Sequence, residues 1–286
     1  MQVIETIKEL QKFLETARKL GKIGFVPTMG ALHRGHISLL DRAKLDCKTV
    51  VCSIFVNPTQ FNDPNDLEKY PRPIEKDKQM LAESGCDFLL LPSVDEIYNP
   101  GVSYKLGYDF GKLDKVMEGH FRPGHFDGMA QVVKRLLDIV LPDLLFMGQK
   151  DFQQLTIIRS LIKQSHLPID LIMCETIREP DGLAMSSRNV RLDPLLRKKA
   201  SLIYNTLIWA KEHIHQLSIS EINNSAFEKL RIPGFKPEYF EIVDGITLEP
   251  IKSYKSNSFI VACVACWVGD VRLIDNLIFK KPDSIH

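Results

Sequence analysis

The chain has 286 residues, of which 44% are hydrophobic and 26% are charged, and its formal net charge is +1. That composition is ordinary for a soluble globular protein with one large core or two domains. The near-neutral balance argues against a nucleic-acid-binding protein, which usually carries a basic excess. No basic segment followed by an apolar core is visible near the start, so we expect no signal peptide, and the longest apolar run is too short to span a bilayer.

The first predicted elements are a helix and a strand. Residues 6–20 carry apolar side chains at helical spacing, Thr6 with Glu9 resembles a capping box, and Gly21 is a suitable stop. The apolar run 23–26 predicts a buried strand that Pro27 ends.

A motif with two histidines follows this strand. Gly30 permits backbone angles closed to other residues, and Gly35 opens a predicted helix where a flat ligand can lie close to the main chain. His33 and His36 stand at the positive end of that helix, where unpaired N–H groups favour phosphate oxygens. Because His-x-Gly-His alone arises often by chance, a histidine pair on an ordinary loop is the alternative. In this context the stretch predicts a triphosphate cradle.

Strands then alternate with helices. Apolar runs predict strands at 49–55, 88–91, 144–147 and 170–174, and helical spacing predicts helices at 74–84, 129–140 and 152–164. Residues 57–61 lead into a polar, proline-bearing loop through Asp66, and residues 119–128 form a dense turn. The alternation implies a Rossmann-like, doubly wound parallel sheet, in an α/β fold whose ligands sit beyond the carboxyl ends of the strands.

The pattern shifts after about Thr176. A turn at 179–182 and a polar loop at 185–189 precede predicted helices at 194–215 and 220–230 and strands at 239–243 and 258–268. We therefore expect two domains: residues 1–176, and a smaller α+β C-terminal domain at 177–286 that carries the Ser-Ser-Arg loop.

The six cysteines are scattered and mostly lie in apolar runs, which is typical of reduced thiols in a cytosolic protein. Cys263 and Cys266 have no second cysteine pair with them. In a strand their spacing of three places them on opposite faces, so we expect both to be core residues.

Five ordered motifs carry a family resemblance. They are Pro27 to His36, Asn57 to Phe61 (Asn-Pro-x-Gln-Phe), Phe121 to Gly128 (Phe-Arg-Pro-Gly-His-Phe-Asp-Gly), Gly148 to Gln154 (Gly-x-Lys-Asp-x-Gln-Gln) and Ser186 to Asn189 (Ser-Ser-Arg-Asn). In that order, and over essentially the whole chain, they resemble the pantothenate synthetase family. The resemblance implies ATP-dependent condensation of (R)-pantoate with β-alanine through a pantoyl-adenylate, with release of AMP and pyrophosphate, in a cytoplasmic homodimer. The family is similar in fold to other His-x-Gly-His nucleotidyltransferases.

Four residues are expected to be catalytic: His33, His36, Lys150 and Arg188. The imidazoles can donate to phosphate oxygens, and the two cations suit phosphates as a mobile point charge and a planar fork. The alternative for Lys150 and Arg188 is an ordinary surface position. His36 is our choice for proton handling in the second step, because imidazole exchanges protons near neutrality, although this rests on the family as much as on chemistry.

The resemblance also assigns the ligand-binding residues. Those expected at ATP are Met29, Gly30, Ala31, Leu32, His33, Arg34, Gly35, His36, Gly148, Gln149, Lys150, Asp151, Ile177, Met185, Ser186, Ser187 and Arg188. Gln60 and Gln154 are expected to bind pantoate, with Gln60 also near β-alanine. Asp151 contacts the ribose or helps to place Mg²⁺, unless it is a helix cap. Mg²⁺ is expected to arrive with ATP, and its protein ligand stays unassigned.

Two other readings remain open. Another His-x-Gly-His nucleotidyltransferase would share His33, His36 and the Ser-Ser-Arg loop but would not need Gln60 and Gln154. A non-catalytic metal- or nucleotide-binding module would use His33, His36, His120 and His125 as ligands, although that spacing is permissive rather than diagnostic. A tRNA synthetase is disfavoured because no large basic region is present.

Overall fold

In a computed structural model the residues described are 1–61, 67–99, 101–102, 104, 107–255 and 257–282. The end of the predicted loop, at 62–66, lies outside them. None of the helices in this part of the chain combines the length and the apolarity needed to cross a bilayer.

The N-terminal half is a parallel sheet of six strands in the order β1-β4-β3-β2-β5-β6. The strands are β1 (Gln2–Ile4), β2 (Ile23–Thr28), β3 (Thr49–Ile54), β4 (Phe88–Leu90), β5 (Leu144–Gly148) and β6 (Asp170–Cys174). The helices are α1 (Ile7–Ala17), α2 (Arg34–Asp46), α3 (Ile74–Glu83), α4 (Val94–Ile97), α5 (Glu118–Phe121), α6 (His125–Val140) and α7 (Phe152–Gln164). The predicted doubly wound sheet is confirmed, with β1 added as a short edge strand.

Helices cover both faces of this sheet, as its nearly continuous apolar strands require. One core packs α1, α6 and α7 against the sheet around Phe25, Leu145 and Leu161. The other packs α2 and α3 against the opposite face around Val26, Leu40 and Leu81.

Pro27 does not end β2, contrary to our expectation. The strand runs on to Thr28, and Pro27 lies in register with Ser53 of β3. The carbonyl of Thr28 accepts from Phe55 N–H on the β3 side. Backbone hydrogen-bonding groups of neighbouring strand residues point to opposite sides, so the backbone nitrogen of Pro27 points towards β5. Pairing with β5 involves only Gly24 and Phe25. The N–H that proline lacks therefore has no ladder position to fill, and the strand can continue.

The C-terminal part is built on an antiparallel sheet, β7 (Phe235–Asp244), β8 (Ile260–Val268) and β9 (Val271–Lys280), in sequence order. Helices α9 (Leu202–His213) and α10 (Ile219–Leu230) pack on one face, and Phe152 and Met117 of the N-terminal half pack on the other. Cys263 and Cys266 lie in these two different cores, as their spacing predicted. The smaller α+β unit is confirmed, whereas β9 was not predicted.

Two other predicted segments differ. The helix expected at 194–215 is broken into α8 (Pro194–Arg197) and α9, because i→i+3 hydrogen bonds such as Leu202 N–H to Lys199 O replace the helical pattern between them. The dense turn at 119–128 contains α5 and the first turn of α6. Gly124, at φ 78°, takes the left-handed conformation that separates the two helices.

Candidate active site

The candidate site lies where the strand order reverses. β3 is beside β2 on one side and β5 is beside it on the other, so the carboxyl ends of β2 and β5 leave a crevice between the loops that follow them. The His-x-Gly-His turn follows β2, and a 3₁₀ turn, Gln149–Asp151, follows β5. The two anion-binding segments predicted from sequence are therefore neighbours.

The turn after β2 is held by a carboxylate that sequence analysis missed. Asp77 of α3 is fully buried, and its two oxygens accept from the N–H groups of Ala31 and Leu32, each at 2.8 Å. These bonds fix a turn in which Gly30 (φ 80°) and Ala31 (φ 51°) are both left-handed. A side chain at Gly30 would lie 3.0 Å from Asp77 Oδ2, so glycine is required there on two grounds.

The side chains of His33 and His36 form a capping box at the N-terminus of α2. Gly35 N–H donates to His33 Nδ1 at 3.1 Å, and His33 N–H donates to His36 Nδ1 at 3.3 Å. Since an acceptor Nδ1 carries no proton, each neutral imidazole has its proton on Nε2. The two ring centroids lie 4.1 Å apart, and the ring planes are tilted by 46°. Each ring thus presents one N–H donor whose tautomer is set by the backbone.

This arrangement differs from the predicted one, in which unpaired helix amides bind phosphate. The N–H of His36 donates to His33 O, and that of Gly35 is taken by the His33 ring. A Cβ at Gly35 would lie 2.8 Å from His33 Cε1, so glycine here makes room for the imidazole. The positive end of α2 reaches the cavity through the imidazole rings rather than through bare amides.

Both imidazoles are neutral at physiological pH. Burial, reinforced by Lys150, lowers the pKa of His33 to about 4. Burial, with His33 and Lys150 adding to it, lowers the pKa of His36 to about 3. A proton-exchanging role for His36 near neutrality, which the sequence suggested, does not fit this pKa. The ring is suited to donate a hydrogen bond and to stay neutral.

Lys150 enters the site from the turn after β5. Its side chain is 19% exposed, and its Nζ lies 3.9 Å from Asp151 Oδ1. The turn is anchored by Asn276 of β9, whose Nδ2 donates to the carbonyls of Gln149 (2.9 Å) and Lys150 (2.8 Å). Gln149 itself turns away from the crevice, because its Nε2 donates to Asn276 Oδ1. No local signal in the sequence points to this partner.

The Ser-Ser-Arg loop approaches from the C-terminal side on a short hairpin. Arg178 and Ala184 pair across it, and Met185 N–H donates to Ile177 O at 3.0 Å. Within the loop, Ser186 Oγ accepts from Arg188 N–H at 3.2 Å. The hairpin thereby places Met185 and the loop residues over the crevice.

The amide of Gln60 is oriented by its neighbours. Asn57 Nδ2 donates to Gln60 Oε1 at 3.2 Å and to the carbonyl of Gly128 at 3.1 Å, which leaves Gln60 Nε2 facing Met29 Sδ. His125 Nδ1 donates to the Gln60 carbonyl at 2.9 Å, so this histidine of α6 holds the 3₁₀ turn Pro58–Gln60 in place. Burial lowers the pKa of His125 to about 4.

One cavity of about 220 Å³ brings the predicted groups together. The predicted site residues that line it are Met29, His33, Gly35, His36, Gln60, Gly148, Lys150, Asp151, Gln154, Ile177, Met185, Ser186, Ser187 and Arg188. Gly30, Ala31, Leu32, Arg34 and Gln149 do not line it. The first three form the turn on Asp77, and Arg34 is exposed beside Asp41 at 3.3 Å.

The structure gives no support to the metal-module alternative. His125 is committed to the Gln60 carbonyl, and His120 is exposed against the edge of Phe121. Among the residues that the structure describes, no group of three or more His, Cys, Asp or Glu side chains is arranged to hold a metal ion.

Known proteins resemble this chain over nearly its whole length. The pantoate-beta-alanine ligase family model matches residues 2–278. A pantothenate synthetase of Azobacteroides pseudotrichonymphae is 49% identical over 282 residues, and the match covers 98% of this chain and 100% of that protein. One from Bacteroides thetaiotaomicron is 46% identical over 283 residues, with the same coverage.

Two solved structures resemble the whole chain. The pantothenate synthetase from Thermus thermophilus superposes with a TM-score of 0.92 at 40% identity, covering 98% of this chain and 100% of that one. The pantoate-beta-alanine ligase from Francisella tularensis, complexed with beta-gamma ATP and beta-alanine, superposes with a TM-score of 0.81 at 37% identity, covering 99% and 100%.

Proposed function

The chain belongs to the pantoate-beta-alanine ligase family, and from this membership we propose that it condenses (R)-pantoate with β-alanine in an ATP-dependent reaction. The reaction proceeds through a pantoyl-adenylate and releases AMP and pyrophosphate. The observation that carries the proposal is the single cavity in which His33, His36, Lys150, Arg188 and the amide of Gln60 meet.

In the first step the pantoate carboxylate attacks the α-phosphorus of ATP, and the bond to the pyrophosphate oxygen breaks. Two anions must be held in line, and negative charge grows on the leaving group. The Nε2–H groups of His33 and His36 donate to phosphate oxygens from one wall. Lys150 of the turn after β5 and Arg188 of the Ser-Ser-Arg loop supply the positive charge, and Ser186 and Ser187 add hydroxyl donors.

In the second step the neutral amine of β-alanine attacks the acyl carbon, the C–O bond to AMP breaks, and the proton lost by the new amide nitrogen passes to water or to the departing AMP phosphate. AMP is a good leaving group, so positioning supplies most of the help. His36, with its pKa of about 3, donates its Nε2–H to the adenylate and does not serve as the base.

Pantoate takes the part of the cavity between Gln60 and Gln154, where uncharged amides both donate and accept. Asn57 holds the Oε1 end of the Gln60 amide, and Nε2, which donates one N–H to Met29 Sδ, keeps its second N–H for pantoate. The apolar wall around Val133, which is 4% exposed, suits the gem-dimethyl group of pantoate. Gln60 also contacts β-alanine.

Mg²⁺ belongs to the bound triphosphate in this proposal. Asp151 and Glu175 are the carboxylates that line the cavity, and Asp151 already lies near Lys150. Phosphate oxygens and water would therefore supply most of the ligands, with Asp151 as the protein group at hand. When bound, the ion neutralises phosphate charge.

We also propose that the protein is a cytoplasmic homodimer, as the family resemblance implies, and that each chain divides into two domains near residue 177. Sedimentation of the purified protein tests the dimer, because a monomer at micromolar concentration would contradict it. Expression of residues 1–176 alone tests the boundary, since an independent domain should melt cooperatively.

An assay with the substrates supplied singly and together tests the reaction. Pyrophosphate–ATP exchange is expected with pantoate alone, and net AMP formation only when β-alanine is added as well. Exchange that needs no pantoate, or that needs a nucleotide monophosphate in its place, would favour a different nucleotidyltransferase.

A further inference from the structure

Two adjacent polar residues are buried in the middle of β9. Asp275 is 4% exposed and Asn276 is 2% exposed, in a strand that is otherwise largely apolar. Burying such groups destabilises a fold unless they are fully hydrogen-bonded, and a simple edge strand needs neither. Their partners therefore indicate what the pair does.

Asn276 holds the turn that carries Lys150. Its Nδ2 donates to two successive carbonyls, of Gln149 and of Lys150, and its Oδ1 accepts from Gln149 Nε2 at 3.0 Å. Two of these hydrogen bonds fix the peptide groups on either side of Lys150, and the third holds the side chain of Gln149. The direction in which that lysine leaves the turn is set by β9.

Asp275 holds the hairpin that carries the Ser-Ser-Arg loop. Its carboxylate accepts two hydrogen bonds from the Arg178 guanidinium, at 2.6 and 3.0 Å; the Asp275 side chain is buried and that of Arg178 is 16% exposed. Arg178 also donates to the carbonyl of Gly182, across the hairpin, and stacks 3.8 Å from the ring of Tyr204. The base of the loop is thereby tied to the same strand.

The strand geometry explains how one dipeptide reaches both segments. Consecutive residues of a strand point to opposite faces. Asn276 is in register with Cys263, which faces the N-terminal half, and Asp275 is in register with Val264, which faces the helices of the C-terminal unit. β9, an edge strand of its sheet, therefore contacts the Lys150 turn through Asn276 and the Arg178 hairpin through Asp275.

We propose that Asp275 and Asn276 are positioning residues of the ATP site, which hold Lys150 and the Ser186–Arg188 loop at a fixed separation. This inference rests on the proposed function only in taking ATP as the ligand. The C-terminal sheet then acts in nucleotide binding through a strand that need not touch the nucleotide.

A double-mutant cycle read by ATP affinity tests the proposal. The dissociation constant of ATP is measured by titration calorimetry for the wild type, Asn276→Ala, Lys150→Ala and the double variant. Asn276→Ala removes three hydrogen bonds, so a loss of roughly 10- to 100-fold in affinity is expected. In the Lys150→Ala background the same change should cost less than about threefold, because its effect passes through the lysine. A second cycle measures ATP affinity for Asp275→Asn, Arg188→Ala and their double variant, and Asp275→Asn should likewise cost less affinity in the Arg188→Ala background.

Two further variants separate positioning from folding. Asn257→Ala is the matched control, since this asparagine of the same unit donates to Asp244 at 2.9 Å, away from the site, and should change ATP affinity by less than about twofold. Gln149→Met keeps the volume and removes one of the three bonds. It should weaken ATP binding by roughly 3- to 10-fold even if Asn276→Ala does not fold.

The outcomes are distinct. If Asn276→Ala lowers ATP affinity equally with and without Lys150, the proposal is overturned and Asn276 is a structural residue. The same holds if Asn257→Ala lowers ATP affinity as much as Asn276→Ala does. Unchanged affinity in Gln149→Met and Asn276→Ala would overturn it as well. If the wild type binds ATP but shows no pantoate-dependent exchange, the proposed function fails while the affinity cycle still decides this inference.

Discussion

Replacing His36 by asparagine is expected to abolish most of the adenylation rate while leaving the fold intact. The side-chain oxygen of asparagine can take the place of Nδ1 and accept from His33 N–H, as the His36 ring does at this position of α2. The Nε2–H donor, however, is lost. His36→Asn therefore removes the phosphate contact alone, whereas His36→Ala removes the phosphate contact and the cap together.

The size of the effect follows from the environment of the ring. A preorganised donor aimed at developing charge in a largely desolvated site is worth about 10²–10³ in rate, or about 2.7–4 kcal/mol. Because the pKa of His36 is about 3, the ring is a neutral donor at every pH above 5. The ratio of wild-type to His36→Asn rates should stay constant between pH 5.5 and 9.

The measurement is pantoate-dependent pyrophosphate–ATP exchange, followed across that pH range for both proteins, with thermal melting as the check on folding. A change in the wild-type to variant ratio with a midpoint near pH 6.5 would refute the reasoning, because it would show that His36 titrates near neutrality. A rate within a few-fold of wild type would refute the donor role itself.

Three more outcomes are expected. Gln60→Ala should raise the KM for pantoate by roughly 10-fold or more and leave ATP affinity nearly unchanged; a selective loss of ATP binding would contradict this. Arg34→Ala should change exchange by less than about twofold, because Arg34 points to solvent beside Asp41. The folded state keeps His125 neutral down to about pH 4, while the unfolded state takes up a proton near pH 6.5, so stability should fall as pH drops from 6.5 to 4. At pH 5.5 this histidine accounts for about 1.4 kcal/mol, and urea unfolding of His125→Asn, in which the amide replaces Nδ1–H, should show a shallower pH slope.

Much of the fold is readable from the sequence because the strands of a parallel sheet are apolar throughout. The runs at 23–26, 49–55 and 144–147 needed only length and composition to be recognised. β9 was not predicted because Asp275 and Asn276 interrupt its apolar pattern, and these two residues hydrogen-bond to segments far away in the sequence. The prediction that Pro27 ends β2 was wrong because a proline interrupts a strand only where a paired strand faces its missing N–H. Only the register shows which strand that is.

The same division holds for the candidate site. Side chains that follow strand ends, such as His33 and Lys150, could be placed because the sheet gathers those ends at one edge. The groups that hold them could not. Asp77 lies 46 residues from the amide of Ala31, and Asn276 lies 127 residues from Gln149. No periodic pattern carries information over such distances, and Asp77 reads locally as one more polar residue of a surface helix.

The neutral state of the two histidines decides where charge must come from. An imidazole that donates through Nε2–H orients a phosphate oxygen but brings no full positive charge to it. Of the described residues that line the cavity, the lysines and arginines are Lys150 and Arg188. We therefore propose that the charge that grows on pyrophosphate as it leaves is balanced by these two side chains and by the Mg²⁺ proposed to accompany ATP. The two side chains belong to two different segments, the turn after β5 and the Ser-Ser-Arg loop, so the separation between them has to be maintained, and β9 contacts the base of both segments.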